Sequence, residues 1–249
     1  MIHIHTPGEQ TNLRASGKLL GDILRQLVAF TKPGVTLLQI EQLAQRLIQK
    51  EKAKPAFLGY HGYKNILCTS VNEEVVHCPP TGRVLLDGDI LSIDAGVIVH
   101  GMYSDAAVTI PVGKISATAQ KLIDVTRTSL YEIGVAQIKP GNKIGDIGHA
   151  IQTYVEQHGF SVVKQLVGHG IGRHLHEDPA IPNYGEAHIG AILKPGMAIA
   201  VEPMVNVGKE DVIFEDDGWR VVTTDGTLSA HFEHTFLVTD TGCEVLTKF

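Results

Sequence analysis

The chain has 249 residues, 43% of them hydrophobic and 19% charged, with a mean hydropathy of +0.07 and a formal charge of −6. That is long enough to bury a full core and ordinary for a globular domain, which excludes disordered, collagenous and disulfide-scaffold classes. The excess of acid offers no basic face to nucleic acid or an anionic membrane, and neither is expected as a partner.

Apolar residues at Leu13, Leu20, Ile23, Leu24, Leu27 and Val28 follow the three-and-four spacing of an amphipathic helix, predicted over residues 9–30 and stopped by Lys32-Pro33-Gly34. Thr36 with Gln39 makes a capping-box signature for a second helix, its core face Ile40, Leu43, Ala44, Leu47 and Ile48, ending near Lys54-Pro55. Short strands and turns follow, with Gly59 to Tyr63 as a loop and Ile66 to Val71 as a strand.

Residues 85–109 read as a buried β-hairpin that holds two lone carboxylates. Asp94 ends the apolar run Ile90 to Ile93; Val97 to Val99 begin a return strand turned near His100-Gly101, and Asp105 follows. An ionised Asp in a strand interior costs several kcal/mol, about 3–5 when its partner is missing, unless a cation or hydrogen bonds compensate it. Two such residues suggest a shared cation.

From Ser116 the order repeats: a helix to about Ile133, the breaker Lys139-Pro140-Gly141, and a helix with Ile144, Ile147, Ile151 and Val155 inward. Ala29-x-x-Lys32-Pro33-Gly34 recurs as Ala136-x-x-Lys139-Pro140-Gly141, and His61-Gly62 as His169-Gly170, at offsets of 107 and 108. Gly88 to Asp94 matches Gly196 to Glu202, again offset by 108. Three matches in one register indicate a duplication, with halves at about 9–112 and 116–249 inside a single catalytic domain, 1–249. Glu202 then stands where Asp94 stands in the first half. The second hairpin carries a Gly- and acid-rich excursion, Gly208 to Gly218, and its return segment His231 to Val238 supplies Glu233 as the counterpart of Asp105.

Two unit charges about 4 Å apart repel by roughly 4 kcal/mol at an effective dielectric of 20, so four converging acids must share protons or bind metal. A nearby imidazole favours a two-metal centre. It comes from Gly168 to Pro179, which holds His169, His174 and His176 among glycines that permit close backbone approach. Arg173 breaks a GxGxxG phosphate loop there, and no P-loop Lys follows. Carboxylate-rich ligation with one His leaves manganese, iron, cobalt and zinc all compatible.

The stretches Gly59 to Tyr63, Val71-Asn72-Glu73, Ser92-Ile93-Asp94, Gly168 to Arg173, Val201 to Asn206 and Glu233-His234-Thr235 resemble the short bacterial type I methionine aminopeptidases of peptidase family M24, over nearly the whole length. The resemblance implies an α+β pita-bread fold, two pseudo-two-fold-related halves with an antiparallel sheet backed by helices. It further implies that Asp94, Asp105 and Glu233 hold one divalent ion and Asp105, His169, Glu202 and Glu233 a second. A water bridging two such ions has its pKa lowered towards about 7, giving the hydroxide expected to attack the first peptide carbonyl. By the same resemblance His77 contacts substrate near the scissile amide, His176 stabilises the tetrahedral intermediate, and Glu202 carries the proton to the leaving amine. Phe57, Tyr60, His61, Tyr63, Cys68, Leu175 and Trp219 map onto the walls of the methionine pocket.

Four positions depart from the family pattern. Phe57 stands where a small Cys is common and Leu175 where an aromatic is common, a pair of swaps that could exchange volume across one pocket; Cys78 and His174 replace glycines.

The implied activity is removal of the N-terminal methionine from nascent chains when the second residue is small, in the cytoplasm, by a monomer acting by analogy at the ribosome. Three cysteines, odd in number and without CxxC spacing, fit a reducing compartment, and MIHIHTPGEQ lacks the apolar core of a signal peptide. Met1, followed by the bulky Ile2, is itself expected to be retained. The alternatives are a prolidase or Xaa-Pro aminopeptidase of the same fold, which normally carries a large extra N-terminal domain, and a non-catalytic pita-bread binding protein, which usually loses ligands.

Overall fold

The computed structural model describes residues 2–249, so Met1 lies outside the described residues. Helix α1 (Pro7–Phe30) begins two residues earlier than its apolar spacing predicts. The reason is a complete capping box: Thr6 accepts from the Glu9 amide, Glu9 accepts from the Thr6 amide, and Pro7 needs no N–H partner in the first turn. Helix α2 (Leu37–Lys50) is capped in the same way by Thr36 and Gln39 and ends before Lys54. Both bury their apolar stripes against the sheet.

Strands β1 (Lys54–Pro55), β2 (Leu67–Val71), β3 (Glu74–Val76), β4 (Ile90–Val99) and β5 (Met102–Pro111) follow. The hairpin β4–β5 turns at His100-Gly101, where both residues take positive φ. Val97 to Val99 belong to the outgoing strand and not to the return, so Asp94 sits in the middle of a ten-residue strand instead of at its end. Helix α3 (Ala117–Thr128), capped by Ser116, runs on into a π-turn at Ser129–Gly134, and α4 (Ile144–Gln157) follows the predicted breaker.

The second half adds β6 (Ser161–Val162), β7 (Gly168–Gly170), β8 (Glu177–Ile181), β9 (Ala198–Val201), β10 (Met204–Asn206), β11 (Val212–Phe214), β12 (Val221–Thr223), β13 (Ser229–His231), β14 (Glu233–Val238) and β15 (Cys243–Val245). The excursion expected at Gly208 to Gly218 is ordered: β11 pairs with β12, which pairs with β3 of the first half. The main sheet runs β1-β4-β5-β14-β9-β7-β8, with β2 on β4 and β15 on β14. Every pairing within it is antiparallel. No helix among the described residues is long and apolar enough to cross a membrane.

Candidate metal centre

Register brings the acids together. Asp94 and Glu233 each stand opposite Ala107 of β5, one from either side, and cross-strand neighbours share a face. Asp105 lies two residues from Ala107 and therefore on the same face. Beyond β14, Ala200 of β9 is opposite both Thr235 and His169, which places His169 on this face too. Glu202 is two residues past Ala200. Five side chains distant in sequence thus project to one side of the central strands.

The backbone under them is pinned. The Thr235 hydroxyl donates to the Asp105 carbonyl at 2.8 Å and accepts from its amide at 3.0 Å, and Thr109 does the same for His231. His169 donates through Nδ1 to the Gly170 carbonyl at 2.9 Å, which leaves Nε2 as a bare lone pair 3.6 Å from a Glu202 oxygen. That is the tautomer a ligating imidazole needs. Donor atoms of Asp105, His169 and Glu233 lie within 4.8 Å of one another.

This cage does not satisfy itself. Asp94 Oδ1, Asp105 Oδ1 and Glu233 Oε1 are buried without a hydrogen-bond partner, at roughly 1–3 kcal/mol apiece. Burial pushes the Asp94 carboxyl up to about 7. Burial, and after it neighbouring carboxylates, drives Asp105, Glu202 and Glu233 well above the carboxylate range. Burial holds His169 down at about 3, so it stays neutral. Unpaired carboxylate oxygens around one neutral imidazole suit divalent cations, so the residues fit the metal that the sequence implies.

The acids floor a cleft whose lining also includes Phe57, Tyr60, Tyr63, Cys68, His77, Leu175, His176 and Trp219. All the predicted pocket residues line it except His61, whose ring stacks edge-on against Tyr60 at 4.4 Å outside the lining. Phe57 and Leu175 belong to one buried apolar cluster, so the two swapped positions do share a wall. Phe57 seats there because Gly96 has no Cβ, which would lie 2.9 Å from its ring. His176 meets the Tyr60 hydroxyl through Nδ1 at 2.8 Å and packs its ring 4.2 Å from that of His169. His77 holds φ +60°, a left-handed conformation uncommon outside glycine, beside the acids.

One residue escaped the sequence reading. His231 is buried, has no partner on either ring nitrogen, and sets Nε2 3.7 Å from the other Glu202 oxygen. Its signal was its place two residues before Glu233 in the return segment that begins at His231.

The profile of metallopeptidase family M24 matches residues 11–240. The chain belongs to that family, whose members use divalent metal ions and share the pita-bread fold. The methionine aminopeptidase 1 of Bacillus subtilis is 49% identical over 248 residues, covering 100% of both chains. The crystal structure of methionine aminopeptidase from Thermotoga maritima matches with a TM-score of 0.98 at 47% identity, over 100% of each chain. An Xaa-Pro dipeptidase from Bacillus anthracis matches with a TM-score of 0.79 at 22% identity, over 99% of this chain and 62% of that one, a likeness of fold alone. Within the family this chain is a methionyl aminopeptidase, a metallo-exopeptidase.

Proposed function

We propose that the chain removes the N-terminal methionine from nascent polypeptides whose second residue is small, using two divalent ions. Asp94, Asp105 and Glu233 would hold one, and Asp105, His169, Glu202 and Glu233 the other, with manganese, iron, cobalt and zinc all suited. The observation that carries this reading is the cleft itself, apolar-walled and closed by five ligand-type side chains, three of which, Asp94, Asp105 and Glu233, carry a buried oxygen with no partner among the described residues. Its apolar wall suits one methionine side chain.

When bound, the ions lower the pKa of water towards neutrality and polarise the scissile carbonyl. The chain's own residues do the rest. The Tyr60 hydroxyl meets His176 Nδ1 at 2.8 Å; with Tyr60 as the donor the proton would sit on Nε2, from which His176 would donate to the developing tetrahedral oxygen. His77, kept neutral because burial holds it near 4, contacts the substrate beside the scissile amide. Glu202 takes the proton from the nucleophile and returns it to the leaving amine. Phe57, Tyr60, Tyr63, Cys68, Leu175 and Trp219 surround the methionine side chain, with His61 at the rim.

The offset matches between 9–112 and 116–249 support one domain of two related halves, and the three unpaired cysteines support work in the cytoplasm. A monomer acting at the ribosome is the corresponding reading by analogy.

Release of free methionine from Met-Ala-Ser by metal-stripped protein, before and after manganese or cobalt, tests the assignment. Metal-dependent release that spares an Ala-Pro peptide is expected, and Glu202→Gln should lower kcat on the order of 10²–10³-fold with KM little changed. Cleavage of the proline peptide instead would move the chain to the prolidase branch, and cleavage of neither would make it a binding protein.

A further inference from the structure

The segment ahead of α1 crosses the loop that follows β7. The His5 amide donates to the Gly196 carbonyl at 2.8 Å, Gln10 holds the His5 carbonyl at 2.9 Å, and the His5 ring lies against Gly172, where any Cβ would collide with it. His3 and His5 are two residues apart, and their rings meet edge-on with centroids 4.7 Å apart. Glu9, from the first turn of α1, closes the third side. One nitrogen of each ring and one Glu9 oxygen lie within 4.8 Å of one another.

Hydrogen bonding satisfies the Glu9 corner of this triangle, through Thr6, but not the two imidazoles. His3 Nε2 stands 3.6 Å from Glu9 Oε2, beyond hydrogen-bond reach. His3 Nε2 and His5 Nδ1 are both buried without a hydrogen-bond partner among the described residues, and His5 as a whole is only 3% exposed. His5 Nε2 donates to the Ile171 carbonyl at 3.1 Å, which leaves Nδ1 as a lone pair with nothing to accept. One ring nitrogen tied to a carbonyl and the other bare is how a metal-ligating histidine is held. Burial pushes the His5 imidazole down, so it is neutral at pH 7. The Thr6 amide and Arg173 hold the Glu9 carboxyl near 2, so it is an anion.

We propose that His3 Nε2, His5 Nδ1 and Glu9 Oε2 form a second cation site, separate from the carboxylate centre, for a borderline divalent ion of the zinc kind. Two imidazoles and one carboxylate suit zinc and leave a fourth position for water. Ligand atoms around a tetrahedral zinc stand about 3.3 Å apart for bonds of about 2.05 Å. The His3 to Glu9 separation is already near that, and the part-exposed His3 ring can turn to close the rest. Arg173 engages the other Glu9 oxygen, Oε1, at 2.6 Å; Oε2 accepts from the Thr6 amide and hydroxyl, both at 2.9 Å, and a bound cation would take the place of the exposed hydroxyl's hydrogen bond. Occupied, the site ties the start of the chain to Ile171–Arg173, just ahead of His174, Leu175 and His176.

The test uses untagged full-length protein dialysed against zinc, with bound metal counted per chain for the wild type and His3→Gln. His3 makes no hydrogen bond that the fold depends on, so the variant keeps the fold and the carboxylate centre. The wild type is expected to take up one zinc more per chain than His3→Gln. The nitrogen resonances of the His3 and His5 rings should shift as that equivalent fills, with His5 Nε2 remaining protonated. Equal uptake by the two proteins, or His3 and His5 resonances that do not move with zinc, would overturn the proposal.

Discussion

His77 combines a left-handed backbone, φ +60°, with a ring that burial keeps neutral down to about 4. Strain of this kind costs of order 1–3 kcal/mol and persists where the surroundings fix it, here in the cleft that the buried acids line. The depressed value sets a pH dependence. Above 6.5 His77 is neutral in both folded and unfolded chains. Between 6.5 and about 4 the unfolded chain takes up the proton and the folded one does not, so His77 makes stability fall as pH drops through that window and levels off below it. Urea denaturation of metal-stripped protein should therefore show the difference between wild type and His77→Gln shifting towards the variant between pH 7 and pH 4.5. A difference that is the same at both pH values would mean the ring is not held neutral.

At the scale of elements, α1 depends on glycines that its helical spacing does not explain. Gly17 and Gly21 face the C-terminal tail so closely that a Cβ would run into the carbonyls of Leu246 and Lys248. Gly8, in the first turn of the same helix, has nothing within 4 Å. Helix propensity alone favours Ala over Gly by about 1 kcal/mol, while overpacking costs about 1–3 kcal/mol. Gly8→Ala is thus expected to leave stability unchanged or raise it, and Gly21→Ala to lower it by about 1 kcal/mol or more, read from urea midpoints. Equal effects at the two positions would mean the tail is not docked on α1. The hairpin β4–β5 follows the same logic: its register is fixed by ten paired residues, so a one-residue slip would move Asp94 and Asp105 to the opposite face of the sheet.

Across the whole molecule, a metal held by the proposed ligands would act as a cross-link between distant strands. Asp94, Asp105, His169, Glu202 and Glu233 come from β4, β5, β7, the end of β9 and β14, so the ligand set exists only in the folded chain. A ligand that binds the folded state alone stabilises it by about 2.7 kcal/mol at 100 times its Kd. Chelation should accordingly lower Tm and manganese or cobalt should restore it, followed by calorimetry. A Tm indifferent to both would mean that the buried acids share protons and do not take up cations.

What the sequence determined by itself is what depends on local chemistry and spacing. Thr36 with Gln39 locates the start of α2, apolar periodicity locates the helices, and the turn at His100-Gly101 locates the hairpin. The five ligand-type residues were legible because an acid in an apolar strand is costly without a cation, and because the resemblance fixed which acids these are. Tertiary structure decided what contacts between distant segments decide. Asp94 lies mid-strand because β5 and β2 pair along both its flanks, which a run of apolar residues ending at an Asp cannot reveal. The acid-rich excursion is a hairpin because β3 of the other half pairs with it. His231 emerges beside Glu202, and His5 against Ile171, only because the chain brings them there across long separations. Burial and unpartnered atoms are properties of that packing, and no spacing along the chain encodes them.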